Sequence, residues 1–172
     1  MDRVIDAGIL LATLLIGFFL GRTSLNYMPF GRAAGPQREV RTSLTDPIGK
    51  RISLSGVDWG KHGRTLVIAL QSGCRYCLES ATFYQRLTKM RSRFGATRMV
   101  AVLPHSLENS STFLMTLGLS VDEIHQGTLQ EIGVQGTPTL LLVNSSGIVT
   151  EAWIGKLQPA AEDAVLARLQ VQ

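Results

Sequence analysis

The chain is poor in cysteine, in aromatic residues and in clustered charge, and each shortage excludes something. It holds two cysteines in 172 residues. Two cysteines cannot build a disulfide framework, and they cannot close a four-ligand zinc site unless histidine joins them. Aromatic residues make up 6 %, so a core drawn from the 45 % hydrophobic content must be mostly aliphatic. Formal charge is +4, from 17 Lys+Arg against 13 Asp+Glu, with no long basic run. Nucleic-acid binding calls for a clustered basic face, so no nucleic-acid partner is expected. Length is that of about one domain.

The first feature present is the uncharged run Ala7–Gly21, bounded by Asp6 and Arg22. Together with Val4 and Ile5 it falls slightly short of the ~20 residues that span hydrocarbon. Flanking charges can snorkel and a bilayer can thin, so a single-pass span remains feasible. The run is apolar on every face, unlike a core helix with its polar stripe. No A-x-A-like cleavage site follows it, and we read residues 1–22 as an uncleaved transmembrane anchor. Arg22, Arg32, Arg38 and Arg41 follow the run and only Arg3 precedes it. That pattern favours a cytoplasmic domain, although long domains translocate largely regardless of charge. Residues 23–47, punctuated by Pro29, Gly31, Gly35, Pro36 and Pro47, read as a linker.

Residues 48–172 read as one domain. Arg51–Leu54 reads as a short edge strand. Thr65–Leu70 is a compact apolar run, as expected of a buried strand. A helical pattern runs from Cys74 to about Arg93 and closes at Gly95. Arg98–Leu103 reads as a second strand, Ser106–Leu117 as a helix, and Asp122–Ile132 as a short helix. Thr139–Val143 is a third strand. Asn144-Ser145-Ser146-Gly147 is a hairpin turn and Ile148–Ile154 the return strand. Pro159 opens a last helix to about Leu169. This order predicts a mixed parallel and antiparallel α/β sheet with helices on its faces.

Both cysteines lie in Cys74-Arg75-Tyr76-Cys77, which follows a strand and opens a helix. The first cysteine then sits among unpaired helix amides at the positive dipole end, which stabilises a thiolate. Arg75 adds positive charge beside it, and a Cys74 pKa well below about 8.5 is expected. Cys77, one turn on, is placed to close a disulfide or to attack a mixed one. Half a zinc ribbon has the same spacing, but the second ligand pair is absent. His105 and His125 have 19 residues between them, which is not finger spacing. A copper site from Cys74, Cys77 and His105 is the alternative. A peroxidase reading fails because QSGCRYC lacks the Pro/Thr-rich approach to a reactive cysteine. A second mark is Gly136-Thr137-Pro138-Thr139, where proline stands at a strand start, as a residue without an N–H must.

Cys-x-x-Cys with Thr137-Pro138 some sixty residues later resembles the thioredoxin superfamily. The stretches LSGVDWGKHGRTLVIAL and VNSSGIVTEAWIG are similar to its membrane-anchored TlpA/ResA-type redoxin branch and to MauD-type proteins. The resemblance implies a thioredoxin-like mixed sheet flanked by helices and a cis Thr137–Pro138 bond beside the cysteines. It further implies a substrate strand bound along Thr137 and Pro138, with Arg75 and Tyr76 lining the approach. It implies a membrane-anchored, extracytoplasmic (periplasmic) thiol–disulfide oxidoreductase. Such a protein would act on a protein thiol or disulfide substrate and draw electrons from a membrane-embedded donor. No cofactor is implied beyond the Cys74–Cys77 couple, and no metal. The sequence departs from the branch at Gly73, where tryptophan is usual, at Arg75-Tyr76, where proline or histidine is common, and at Thr82, where a helix-kinking proline often stands. Glu79 is one residue short of the glutamate the anchored reductases carry, a turn of about 100° on a helix. We read it as a first-turn acidic residue.

Overall fold

The computed structural model describes residues 46–170. The expected anchor and nearly all of the linker lie outside them. No helix among the described residues is long and apolar enough to cross a membrane.

In chain order the elements are β1 (Arg64–Ala69), α1 (Arg75–Glu79), α2 (Ala81–Met90), β2 (Thr97–Leu103), α3 (Leu107–Leu117), β3 (Glu123–Gln126), β4 (Thr139–Asn144), β5 (Val149–Ile154) and α4 (Pro159–Gln170). The strands form one sheet of order β3-β2-β1-β4-β5. β1 pairs parallel with β2, and β2 with β3. β4 runs antiparallel to β1 and to β5.

The sheet explains the apolar runs. Successive strand side chains point to opposite faces. Leu66 and Ile68 therefore join one core cluster and Val67 and Ala69 another. β2 and β4 divide in the same way: Met99, Ala101, Leu140 and Leu142 lie on the first face, Val100, Val102, Leu141 and Val143 on the second. A strand covered on both faces must be apolar at every position. Cys77, Phe83, Tyr84 and Leu87, with Phe113, Leu114, Leu117, Val165, Leu166 and Leu169, close the first face. All four helices thus bury side chains in one cluster. The second face is closed by Ile52, Leu54, Ile132 and Val134, with Val57, Trp59 and Leu129 against them.

Three expectations change. Asp122–Ile132 is not a helix: Glu123–Gln126 pairs with Val100–Leu103 as β3, and turns follow it. The Asp122 carboxylate accepts from Met99 N–H at 2.8 Å, while the Asp122 N–H donates to the Met99 carbonyl at 2.8 Å. That tertiary pairing overrides a local sequence rich in Glu and Gln. Arg51–Leu54 is not a full strand, and only Arg51 bridges to Ile148. The helix after Cys74 is interrupted at Ser80, whose hydroxyl donates to the Tyr76 carbonyl at 2.8 Å. Such back-bonding bends helices, and it stands here in place of a proline kink.

Candidate active site

β1 delivers the chain to the site. After Ala69, Leu70 N–H still donates to the Val102 carbonyl at 3.0 Å, and the chain then turns through Gln71-Ser72-Gly73. Gly73 has φ +80°, a conformation L side chains rarely adopt. Glycine meets that demand without a Cβ penalty. The turn leaves Cys74 in extended geometry as the N-cap of α1, where its sulfur accepts the Cys77 N–H at 3.3 Å.

β4 delivers the other half. The pair Ala69↔Thr139 sets the ends of β1 and β4 side by side. Thr137–Pro138, just before β4, is cis. The Cys74 thiol donates to the Thr137 carbonyl at 3.4 Å. The Thr139 hydroxyl closes the loop on the Gly136 carbonyl at 2.7 Å, and Gly155 N–H holds the Pro138 carbonyl at 2.7 Å. The structure therefore brings together Cys74, Cys77, Thr137 and Pro138. Tyr76 is 56 % exposed beside them.

The two sulfurs differ in kind. Partial burial pushes the Cys74 thiol up, but hydrogen bonds from Cys77, through its thiol and its N–H, and from the Thr137 side chain outweigh it, and the net shift is downward. Cys77 is fully buried. Burial first, and then Cys74, pushes its thiol up to about 12. Cys74 is therefore the more readily ionised of the two and Cys77 the one that holds its proton, which suits an attacking and a resolving sulfur.

Two charge assignments are corrected. Arg75 does not serve Cys74: its Nε donates to Glu79 Oε1 at 2.6 Å, and the side chain is otherwise in solvent. Glu79 ends α1 rather than opening a helix, and its other oxygen meets Lys156 Nζ at 2.8 Å. Lys156 first, then Arg75, holds the Glu79 carboxyl below its ordinary range. Lys156 was not legible as a site neighbour, because 77 residues separate it from Glu79. His105 braces the turn before Cys74 from the loop after β2. Its Nε2 accepts from Ser72 N–H at 3.2 Å and lies 2.8 Å from the Ser72 hydroxyl. His125 lies on edge strand β3 against Glu123. Among the described residues no group of three or more His, Cys, Asp or Glu side chains is placed to hold a metal ion.

No family model and no curated protein matches the chain. Solved structures do. A thiol:disulfide interchange protein of the thioredoxin family from Chlorobium tepidum TLS aligns with a TM-score of 0.52 at 19 % identity, covering 72 % of this chain and 97 % of that one. A thiol:disulfide interchange protein from a Bacteroides species aligns at 0.51 and 14 % identity, covering 69 % and 84 %. The chain has the thioredoxin-like fold that these structures share.

Proposed function

We propose that the protein is a membrane-anchored thiol–disulfide oxidoreductase. In this reading the apolar run at residues 7–21 holds it to the membrane as a single-pass anchor, with the folded domain on the extracytoplasmic, periplasmic side. It reduces disulfides of other proteins, as in cytochrome c maturation, and is recharged by a membrane-embedded donor. The observation that carries the exchange chemistry is the asymmetry of the cysteine pair: Cys74 half-buried with a lowered pKa, Cys77 buried and raised to about 12. The names of the solved structures that share the fold, thiol:disulfide interchange proteins, support it.

The steps follow from the geometry. The Cys74 thiolate attacks one sulfur of a substrate disulfide, forming a mixed disulfide and expelling the other substrate sulfur as a thiolate. Cys77 then gives up its proton and attacks Cys74 Sγ. The Cys74–Cys77 bond forms, the bond to substrate breaks, and the second substrate sulfur leaves. Two electrons pass to the substrate, and its two thiolates end protonated by solvent and by the proton from Cys77. The cis Thr137–Pro138 loop lies along Cys74, where an extended substrate segment would align, and Arg75 and Tyr76 border that approach.

The test is the reduction potential of the Cys74–Cys77 couple in dithiothreitol or glutathione buffers. A value near or below about −270 mV is expected of a reductant. One near about −120 mV reverses the direction of electron flow. If no Cys74–Cys77 disulfide forms, the exchange reading is wrong.

A further inference from the structure

Among the described residues, one buried side-chain polar atom has no hydrogen-bond partner: the hydroxyl of Tyr84. Leaving such a group unpaired costs stability, so its retention calls for a reason. Its position supplies one. Tyr84 is fully buried on α2, in the same core cluster as Cys77, with Cys74 packed against that cluster. It stands one turn beyond the bend at Ser80, where its N–H donates to the Ser80 carbonyl at 3.1 Å, and both cysteines are near enough to act on its phenol. Helical side chains lean back toward the N-terminus, which carries the phenol toward Ser80 and the cysteines. Ser80 gives its own hydroxyl hydrogen to the Tyr76 carbonyl.

Cys77 has a matching need. Its resolving step passes through a buried thiolate, and a buried anion is costly unless something donates to it. The other buried polar side chains among the described residues are Thr65, Ser80, Thr97, Ser110 and Thr139, with no carboxylate or ammonium group. The groups that act on the phenol are the two cysteines, the nearby Ser80 hydroxyl, whose hydrogen goes to Tyr76, and Glu162 of α4, itself paired with Arg86. Burial first, then charge on Cys77, raises the phenol pKa, so Tyr84 keeps its proton and has it to donate.

We propose that the Tyr84 hydroxyl is the buried hydrogen-bond donor that stabilises the Cys77 thiolate as it attacks the mixed disulfide. In the resting dithiol this bond is unmade. It forms when the proton leaves Cys77 for the departing substrate thiolate, in line with the tightening of long resting contacts during reaction. Tyr84 retains its own proton throughout and exchanges no electrons. The inference rests on the thiol–disulfide reading and deepens it.

The test uses the reduced full chain and its Tyr84→Phe variant, which loses a single oxygen, mixed with an aromatic disulfide reagent in stopped flow. The first release of aromatic thiol reports attack by Cys74, and the second reports resolution by Cys77. The variant is expected to keep the first rate within about twofold. Its second rate should fall at least about tenfold, since a bond to a charged group is worth that much, and the pH midpoint of that phase should rise. Tm should hold or increase, because an unsatisfied buried hydroxyl is gone. An unchanged second phase with an unchanged midpoint overturns the proposal. So does an equal loss in both phases, which marks a structural role. A wild-type chain that releases a single equivalent and forms no Cys74–Cys77 disulfide overturns the exchange reading itself, a result distinct from either.

Discussion

Glu79 is shared: Arg75 of its own helix takes one carboxylate oxygen and Lys156, beyond β5, takes the other. The C-terminal end of α1 is thereby tied to the segment just after β5, where Gly155 N–H holds the Pro138 carbonyl. Both ion pairs sit in solvent, where such contacts add little to stability and are screened by salt. Their effect falls on where the Arg75 charge points.

Glu79→Gln releases Arg75 from its carboxylate. The freed guanidinium sits one residue from Cys74, and positive charge near a thiol favours the thiolate. The midpoint of Cys74 alkylation against pH is expected to move down in Glu79→Gln at low salt, and the difference to shrink in high salt. An unmoved midpoint in both salts would show that Arg75 never reaches the sulfur.

The two thiols are expected to separate cleanly by pH. Cys74, with its pKa lowered, should react with iodoacetamide with a midpoint below the ordinary 9.0, whereas Cys77 should stay unreactive until the pH approaches about 12. Stability of the reduced protein follows with opposite signs. The Cys74 contribution is complete above 9.0 and is lost as pH falls through its lowered folded value. The raised Cys77 acts the other way: the unfolded chain ionises first, so the reduced fold weakens as pH climbs from 9.0 toward about 12. Mass spectrometry of alkylated peptides and denaturant titrations across pH check both, and equal reactivity of the two cysteines at pH 8 would refute the assignment.

Gly73→Ala tests the turn. A Cβ there meets nothing within 4 Å, so the cost is conformational alone. Holding an L residue at φ +80° is expected to remove about 1–2 kcal/mol of stability. It should also slow attack by Cys74, since the turn sets where the sulfur stands. Urea denaturation with a parallel alkylation assay reads both effects. A variant as stable as wild type would mean that the turn relaxes to negative φ.

Legibility in the sequence followed coverage. β1, β2 and β4 are central and covered on both faces, and their unbroken apolar runs gave them away. Glu123–Gln126 has a neighbour on one side, four residues and mixed polarity, and nothing local distinguishes it from a helix start. Cys74, Cys77, Thr137 and Pro138 could be found because their spacing and residue types carry the chemistry. The role of Glu79 could not, because its direction depends on Lys156 arriving from a distant strand. Tyr84 showed its ring in the helical period of α2, while its idle hydroxyl is visible only once the neighbours are placed. The bend at Ser80 was hidden by the expectation that proline makes such bends.

The pairing of Ala69 with Thr139 has a consequence for how the chemistry can be lost. A slip of one residue between β1 and β4 would carry Thr137 about 3.4 Å along the strand, as far as its carbonyl now stands from the Cys74 sulfur, and would turn every β4 side chain to the opposite face. The reacting centre is in this sense a count of residues kept by the sheet. An insertion inside β4 that shifted that count would disarm the protein while leaving both cysteines and the proline untouched.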